Sequence, residues 1–252
     1  MKMKIVVVGG TGLIGSKLAS ILSARFLEVV VASPSTGVNS RTGEGLDAAL
    51  QGANVVVDVT NPPSFDPGEV LDFFKTSTRN LLAAEKKAGV QHHVLLSIVG
   101  TDGLPGNGYF LAKAAQEALI EGSGVPYTIV RATQFMEFMA MIADAGTTDG
   151  EARLSTANFQ PIAADDLAGF LADTVGKAPA NGIVDVAGPE KGRMCDIIGR
   201  YLRSVGDSRK VTPDSSAGYF GCALEENSLV PVGQASLGPT GIEQWANSAK
   251  AA

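Results

Sequence analysis

At 252 residues the chain has room for one large α/β domain or two small ones, and 45% hydrophobic against 18% charged residues supplies a core and excludes disorder. A formal net charge of −6, with no basic stripe carrying interleaved aromatics, excludes nucleic acid as an expected partner. Cys195 and Cys222 stand far apart, which fits a reducing cytosol and gives neither a disulfide framework nor zinc spacing.

The first apolar run, Lys4 to Val8, reads as a strand. It is too short to span a membrane and lacks the long apolar region of a signal peptide, so a cytoplasmic protein with no membrane partner is expected. Leu13, Ile14, Leu18, Ile21 and Leu22 follow at helical spacing. Glu28 to Ala32 is a second strand, Asp47 to Gln51 a short helix, and Asn54 to Val59 a third strand. Phe73 to Lys87 is a helix closed by Gly89. His93 to Ser97, Tyr127 to Arg131 and Gly182 to Val186 are further strands, and Lys113 to Glu121 is a helix that stops near Gly122 and Gly124. The strands are nearly continuous in apolar residues, as strands buried on both faces of a parallel sheet are. This alternation predicts right-handed crossovers and an α/β doubly wound parallel sheet. Past Arg131 the periodicity loosens, and from Tyr201 the chain is richer in Gly, Ser and Pro. One domain over 1–252 is expected, with 134–160 and 188–252 as a small C-terminal substrate-binding cap at the sheet's C-terminal edge.

The first strand runs into Gly9-Gly10-Thr11-Gly12-Leu13-Ile14-Gly15. Gly9 permits a tight turn, Gly12 lets backbone approach a ligand, and Gly15 lets the helix pack close on the strand. Between a strand and an amphipathic helix, this spacing predicts a pyrophosphate cradle for a nicotinamide dinucleotide, built from Gly9, Thr11, Gly12, Leu13, Ile14 and Gly15. The second strand ends Val31-Ala32-Ser33-Pro34-Ser35-Thr36, with no carboxylate to hold a ribose 2′-hydroxyl. Ser33, Ser35 and Thr36 offer hydroxyls and Arg41 a charge, so NADP is the expected cofactor, with NAD as the alternative. A plain polar loop is the competing reading of these residues. Thr60 and Asn61 lie at a strand's C-terminal end, on the side of an α/β sheet where cofactors bind.

With Asp58-Val59-Thr60-Asn61, Thr78-Arg79-Asn80-Leu81-Leu82, Tyr127-Thr128-Ile129-Val130-Arg131 and Pro161-Ile162-Ala163-Ala164-Asp165-Asp166-Leu167-Ala168, the glycine loop resembles the atypical short-chain dehydrogenase/reductase superfamily. Within it the likeness is to the NmrA-like, NAD(P)-binding branch. It runs over most of residues 3–190 and implies a Rossmann sheet, an NAD(P) cofactor and a Tyr-x-x-x-Lys pair, met here as Tyr109-Phe110-Leu111-Ala112-Lys113. Residues four apart share a helical face, so phenol and ammonium are expected to point into one space. The ammonium is then expected to bring the phenol down from its ordinary pKa of about 10. The resemblance implies Tyr109 as proton donor or acceptor, Lys113 also on the nicotinamide ribose, Ser97 steadying the substrate oxygen, and Thr133 beside the nicotinamide. Two departures stand out. Phe74 aligns where the superfamily carries an asparagine in the third helix, and Ser97 lies closer to Tyr109 than in typical reductases.

Phe135 and Phe138 are candidate walls of an apolar substrate pocket, or else plain core. His92 and His93 point to opposite faces of an extended backbone with no further ligands at suitable spacing, so packing roles and no metal are expected. Asp165 and Asp166 stand where at least one would cap a helix. The expected function is an NADP-dependent oxidoreductase moving hydride between NADP(H) and a small, apolar carbonyl, quinone or alcohol. Its partners are a small-molecule substrate and a second copy in a homodimer. The competing reading is a non-enzymatic redox sensor that binds NAD(P) and regulates a protein partner. A sugar-nucleotide epimerase is disfavoured, because the C-terminal part is small and shows no evident basic clamp for a nucleotide diphosphate.

Overall fold

The computed structural model describes residues 2–25, 28–104 and 106–251. In chain order the elements are β1 (Lys4–Val8), α1 (Leu13–Ala24), β2 (Glu28–Ala32), α2 (Leu46–Leu50), β3 (Val55–Asp58), α3 (Pro67–Ala88), β4 (His92–Ile98), α4 (Gly108–Glu121), β5 (Tyr127–Ala132), α5 (Met139–Ala145), β6 (Thr147–Thr148), β7 (Glu151–Leu154), β8 (Asn158–Phe159), α6 (Ala164–Val175), β9 (Gly182–Ala187), β10 (Gly192–Arg193), α7 (Met194–Val205), β11 (Lys210–Pro213), β12 (Ala235–Leu237) and α8 (Ile242–Ala251). Seven strands form the parallel central sheet in the order β12-β9-β5-β4-β3-β1-β2. This is the doubly wound Rossmann-type arrangement. The order reverses beside β1, with β2 on one side and β3 on the other. Val8 stands opposite both Ala32 and Asp58, so the three strands end level and their following loops start together. Ligands of such sheets bind at this switch point.

The chain divides into two compact units. The first is Met1–Ser97, Gly108–Arg131 and Leu167–Val184. Alternate residues of its strands serve different layers. Val6, Val8 and Val56 pack with Leu46 and Leu50 of α2 and Leu81 of α3. Leu82 on the same helix joins Leu95, Ile120 and Ile129. Phe74, Val70 and Ala112 join α3 to α4, with Tyr109 against them. Helix α3 starts at Pro67, earlier than periodicity predicts, because its first turn is Pro-Gly-Glu and shows no apolar stripe. Asp66 caps it instead, accepting from the N–H groups of Gly68 and Glu69, a device that contributes about 1 kcal/mol.

The second unit is Ile98–Asn107, Ala132–Asp166 and Asp185–Ala252. It holds a three-stranded sheet, β11-β7-β6, and a two-stranded one, β10-β8. Here α7 packs on α8, with Tyr201 against Trp245 and Arg200 bridging Glu190 and Glu243. Strand β12 extends the central sheet by pairing with the end of β9. No element is expected from the sequence at β12, α7 or α8, although Met194, Ile197, Ile198 and Leu202 recur at helical spacing in α7. No helix among the described residues is long and apolar enough to cross a membrane.

Candidate functional site

The glycine loop is built from close approaches. Gly9 adopts φ +82°, and a Cβ there would lie 2.8 Å from Val59 O and 2.9 Å from Thr60 N. A Cβ on Gly15 would lie 2.3 Å from Gly9 O, so α1 can start against the loop only with glycine at that position. Gly12 caps α1 with no side-chain hydrogen bond and no acidic residue in the first turn. The first-turn N–H groups and the positive end of the helix dipole are therefore left to an anion. Thr11, Gly12 and Leu13 are exposed, while Ile14 and Gly15 are buried. A tight loop that admits no Cβ at Gly9 or Gly15, under a helix start with no side-chain cap, suits a dinucleotide pyrophosphate.

Beside the loop, Thr60 donates through N–H and Oγ1 to Asp58 Oδ1 at 2.9 and 2.7 Å. Asn61 Oδ1 accepts from the Tyr109 hydroxyl at 2.9 Å. Thr60, Asn61 and Tyr109 thus sit together at the C-terminal end of β3. Tyr109 lies in the first turn of α4, half-buried, its ring edge-on to Phe74 at 5.8 Å. Lys113, one turn later, is buried. Its ammonium donates to Leu96 O at 2.8 Å and to Gln116 Oε1, and stands 4.6 Å from the centre of the Phe74 ring. Phe74 therefore touches both members of the pair.

These contacts overturn the expected electrostatics. Burial pushes the Tyr109 phenol up to about 12. Burial also pushes Lys113 down to about 8, against the raising pull of Asp58 and Glu117. Desolvation outweighs any lowering of the phenol by the ammonium. Ser97 needs a second correction. It is buried, and its Oγ donates at 2.5 Å to Glu117 Oε1, whose carboxylate also pairs with Arg131 at 2.7 Å. That hydroxyl braces the ion pair between α4 and β5, its proton engaged by Glu117.

After β2, Ser33 is buried and starts a 3₁₀ turn, Pro34–Thr36. The Ser33 N–H donates to Thr36 Oγ1, and the Ser33 and Ser35 hydroxyls are 2.9 Å apart. Arg41 pairs with Asp72 at 2.9 Å, both side chains half-exposed. Asn80 holds this loop to α3 through Ser40 O and Arg41 O. Sequence reasoning missed Asp72, Asn80 and Gln116. Gln116 alone had a local signal, three residues after Lys113 on one helix face.

In the second unit, Thr133 and Gln134 are buried, and Thr133 Oγ1 and both amide heteroatoms of Gln134 have no hydrogen-bond partner among the described residues. Phe135 and Phe138 stack at 5.6 Å, Phe138 being exposed and Phe135 partly so. Asp165 and Asp166 lie within the first turn of α6, and Asp166 accepts from the N–H and Oγ1 of Thr240. His92 and His93 are both buried, against Thr128 and Glu85. Among the described residues no group of His, Cys, Asp and Glu is arranged to hold a metal.

Residues 9–178 match the model of a family described as NAD(P)H-binding. Over 228 residues the chain is 28% identical to the chloroplastic divinyl chlorophyllide a 8-vinyl-reductase of Arabidopsis thaliana, covering 75% of this chain and 54% of that protein. The chain thus spans about half the length of that relative. Its fold is similar to that of a dTDP-4-dehydrorhamnose reductase from Clostridium acetobutylicum, with a TM-score of 0.74 at 16% identity over 99% of both chains. It is also similar to the UDP-glucose 4-epimerase of Thermus thermophilus, solved with NAD, with a TM-score of 0.70 at 19% identity over 99% of this chain and 100% of that one.

Proposed function

The chain belongs to the NAD(P)H-binding family, and from that premise we propose an oxidoreductase that uses NADP(H) on a small, apolar carbonyl, quinone or alcohol. The observation that carries the reading is the cradle at the switch point. Gly9 and Gly15 admit no Cβ, and the start of α1 is uncapped. The Tyr109 hydroxyl lies within hydrogen-bond reach of Asn61 on the adjoining strand end. When bound, the nicotinamide supplies or takes the hydride.

The chain's own groups handle the proton. A phenol held at about 12 stays protonated at neutral pH, so it carries the proton that a reduced carbonyl oxygen must receive. Asn61 fixes the hydroxyl's direction. Ser33, Ser35 and Arg41 are the groups offered to a 2′-phosphate, with Arg41 exchanging Asp72 for it.

The test is NADPH oxidation across a carbonyl and quinone panel. Tyr109→Phe is expected to lower turnover about 10²–10⁴-fold while leaving NADPH affinity in place. Unchanged turnover removes Tyr109 from the reaction.

A second reading, an NmrA-like redox sensor acting on a protein partner, draws support from one observation. Lys113 is held by internal acceptors and the Tyr109 phenol is pushed up, not down. Tight NADPH binding with no turnover anywhere on the panel is its signature.

A further inference from the structure

We infer that Gln116 is a positioning residue for Lys113, clamping its ammonium and coupling it through Asp58 to the loop that cradles the dinucleotide; this rests on the reading of Lys113 as part of the site.

Gln116 is fully buried and every polar position of its carboxamide is engaged. Oε1 accepts from Lys113 Nζ. Nε2 donates to Asp58 Oδ2 at 3.0 Å and to Thr78 Oγ1 at 3.1 Å. The amide has one workable orientation. Flipped, it would set NH₂ against an ammonium and a carbonyl oxygen against a carboxylate. The other oxygen of Asp58 takes both donors of Thr60. The Thr60 nitrogen in turn lies where a Cβ on Gly9 would collide. A hydrogen-bonded path thus runs from the buried Lys113 through Gln116 and Asp58 to the half-buried Thr60, whose backbone lies close against Gly9.

The ammonium has three protons. Leu96 O and Gln116 Oε1 take two, and the Phe74 face lies beneath the third position. The charged and titratable groups facing it are Asp58 from β3, Glu117 from α4 and His93 from β4. Tyr109 lies one turn earlier on α4. Burial lowers the ammonium and the Asp58 and Glu117 charges raise it; the carboxamide oxygen, a hydrogen-bond acceptor for the charged form, adds to their pull.

The experiment is an NMR titration of Lys113 in the whole chain, labelled with ¹³Cε-lysine and assigned with Lys113→Met. The wild-type midpoint is expected at about 8. Gln116→Met removes a hydrogen bond to the charged form and should lower the midpoint by about one pH unit. Asp58→Asn should lower it too, and the double variant should fall short of the sum, because Gln116 carries the coupling. A Gln116→Met protein that loses stability with an unmoved midpoint overturns the inference, as do fully additive shifts. Should Gln116→Met not fold, Gln116→Asn, whose carboxamide is one methylene short of the ammonium, takes its place, and an unmoved midpoint again overturns it. NADPH binding, followed by fluorescence, separates the two claims. No binding by wild type sinks the proposed function while the Lys113 midpoint still answers for Gln116.

Discussion

His92 and His93 are neighbours on β4, yet they bend stability in opposite directions with pH. Burial, helped by His93, holds His92 down at about 4, with Nε2 against Thr128 Oγ1 at 2.8 Å. The unfolded chain takes up that proton at about 6.5, so stability is lost as pH falls from there towards 4, by up to about 3 kcal/mol. Burial would also lower His93, but Glu85 at 2.7 Å overrides it and the imidazole is raised. Its contribution is complete below about 6.5 and is lost as pH rises through the raised native value. Urea unfolding at a series of pH values should show His92→Gln flattening the acid limb and His93→Gln flattening the neutral-to-alkaline one. Arg41 makes a different prediction. Its pair with Asp72 is half-exposed and contributes little, so Arg41→Ala should leave stability and NADH affinity in place. It should weaken NADPH binding about tenfold, the effect of removing one charge-assisted hydrogen bond to the 2′-phosphate. Equal weakening for both dinucleotides would remove Arg41 from cofactor selection.

At the scale of elements, the decisive contact is between the start of α1 and the end of β1. A methyl on Gly15 would meet backbone atoms of Gly9 and Gly10 at 2.3 and 2.6 Å, and backbone cannot swing aside as a side-chain tip can. Gly15→Ala is expected to push α1 off the loop and cost NADPH at least tenfold in affinity, about 1.4 kcal/mol or more, by fluorescence titration. An Ala variant that binds normally would separate the glycine spacing from the cofactor. Helix α4 works by the same logic with side chains. Its inner face carries Lys113, Gln116 and Glu117, all buried, so one helix holds the ammonium, its clamp and the carboxylate that engages Ser97 and Arg131.

For the whole molecule, a dinucleotide that binds the folded chain alone must stabilise it by mass action. At a hundredfold excess over Kd the gain is about 2.7 kcal/mol. For a chain of this size that corresponds to a rise in Tm of roughly 5–10 °C, read by calorimetry with NADPH and with NADH in parallel. A larger rise with NADPH would support the 2′-phosphate reading. No rise with either would contradict dinucleotide binding altogether.

Strands β1 to β5 and β9, helices α1 to α4 and the close-packed glycine loop are legible in the residues alone. Each depends on local demands: continuous apolar runs for doubly buried strands, and positions where no Cβ fits. Spacing rules also place Tyr109 and Lys113 on one helix. Tertiary structure alone decided what those groups do. Arg41 meets Asp72 and Tyr109 meets Asn61 from segments far along the chain. Ser97 turns to Glu117, and Lys113 is held by Leu96 O and Gln116 over Phe74. The three-residue β12 is a strand because β9 pairs with it, its own pattern being too short to declare one. Partner choice and desolvation are properties of the packed interior, and they set the protonation of Tyr109 and Lys113 against the direction that spacing alone suggests for the phenol.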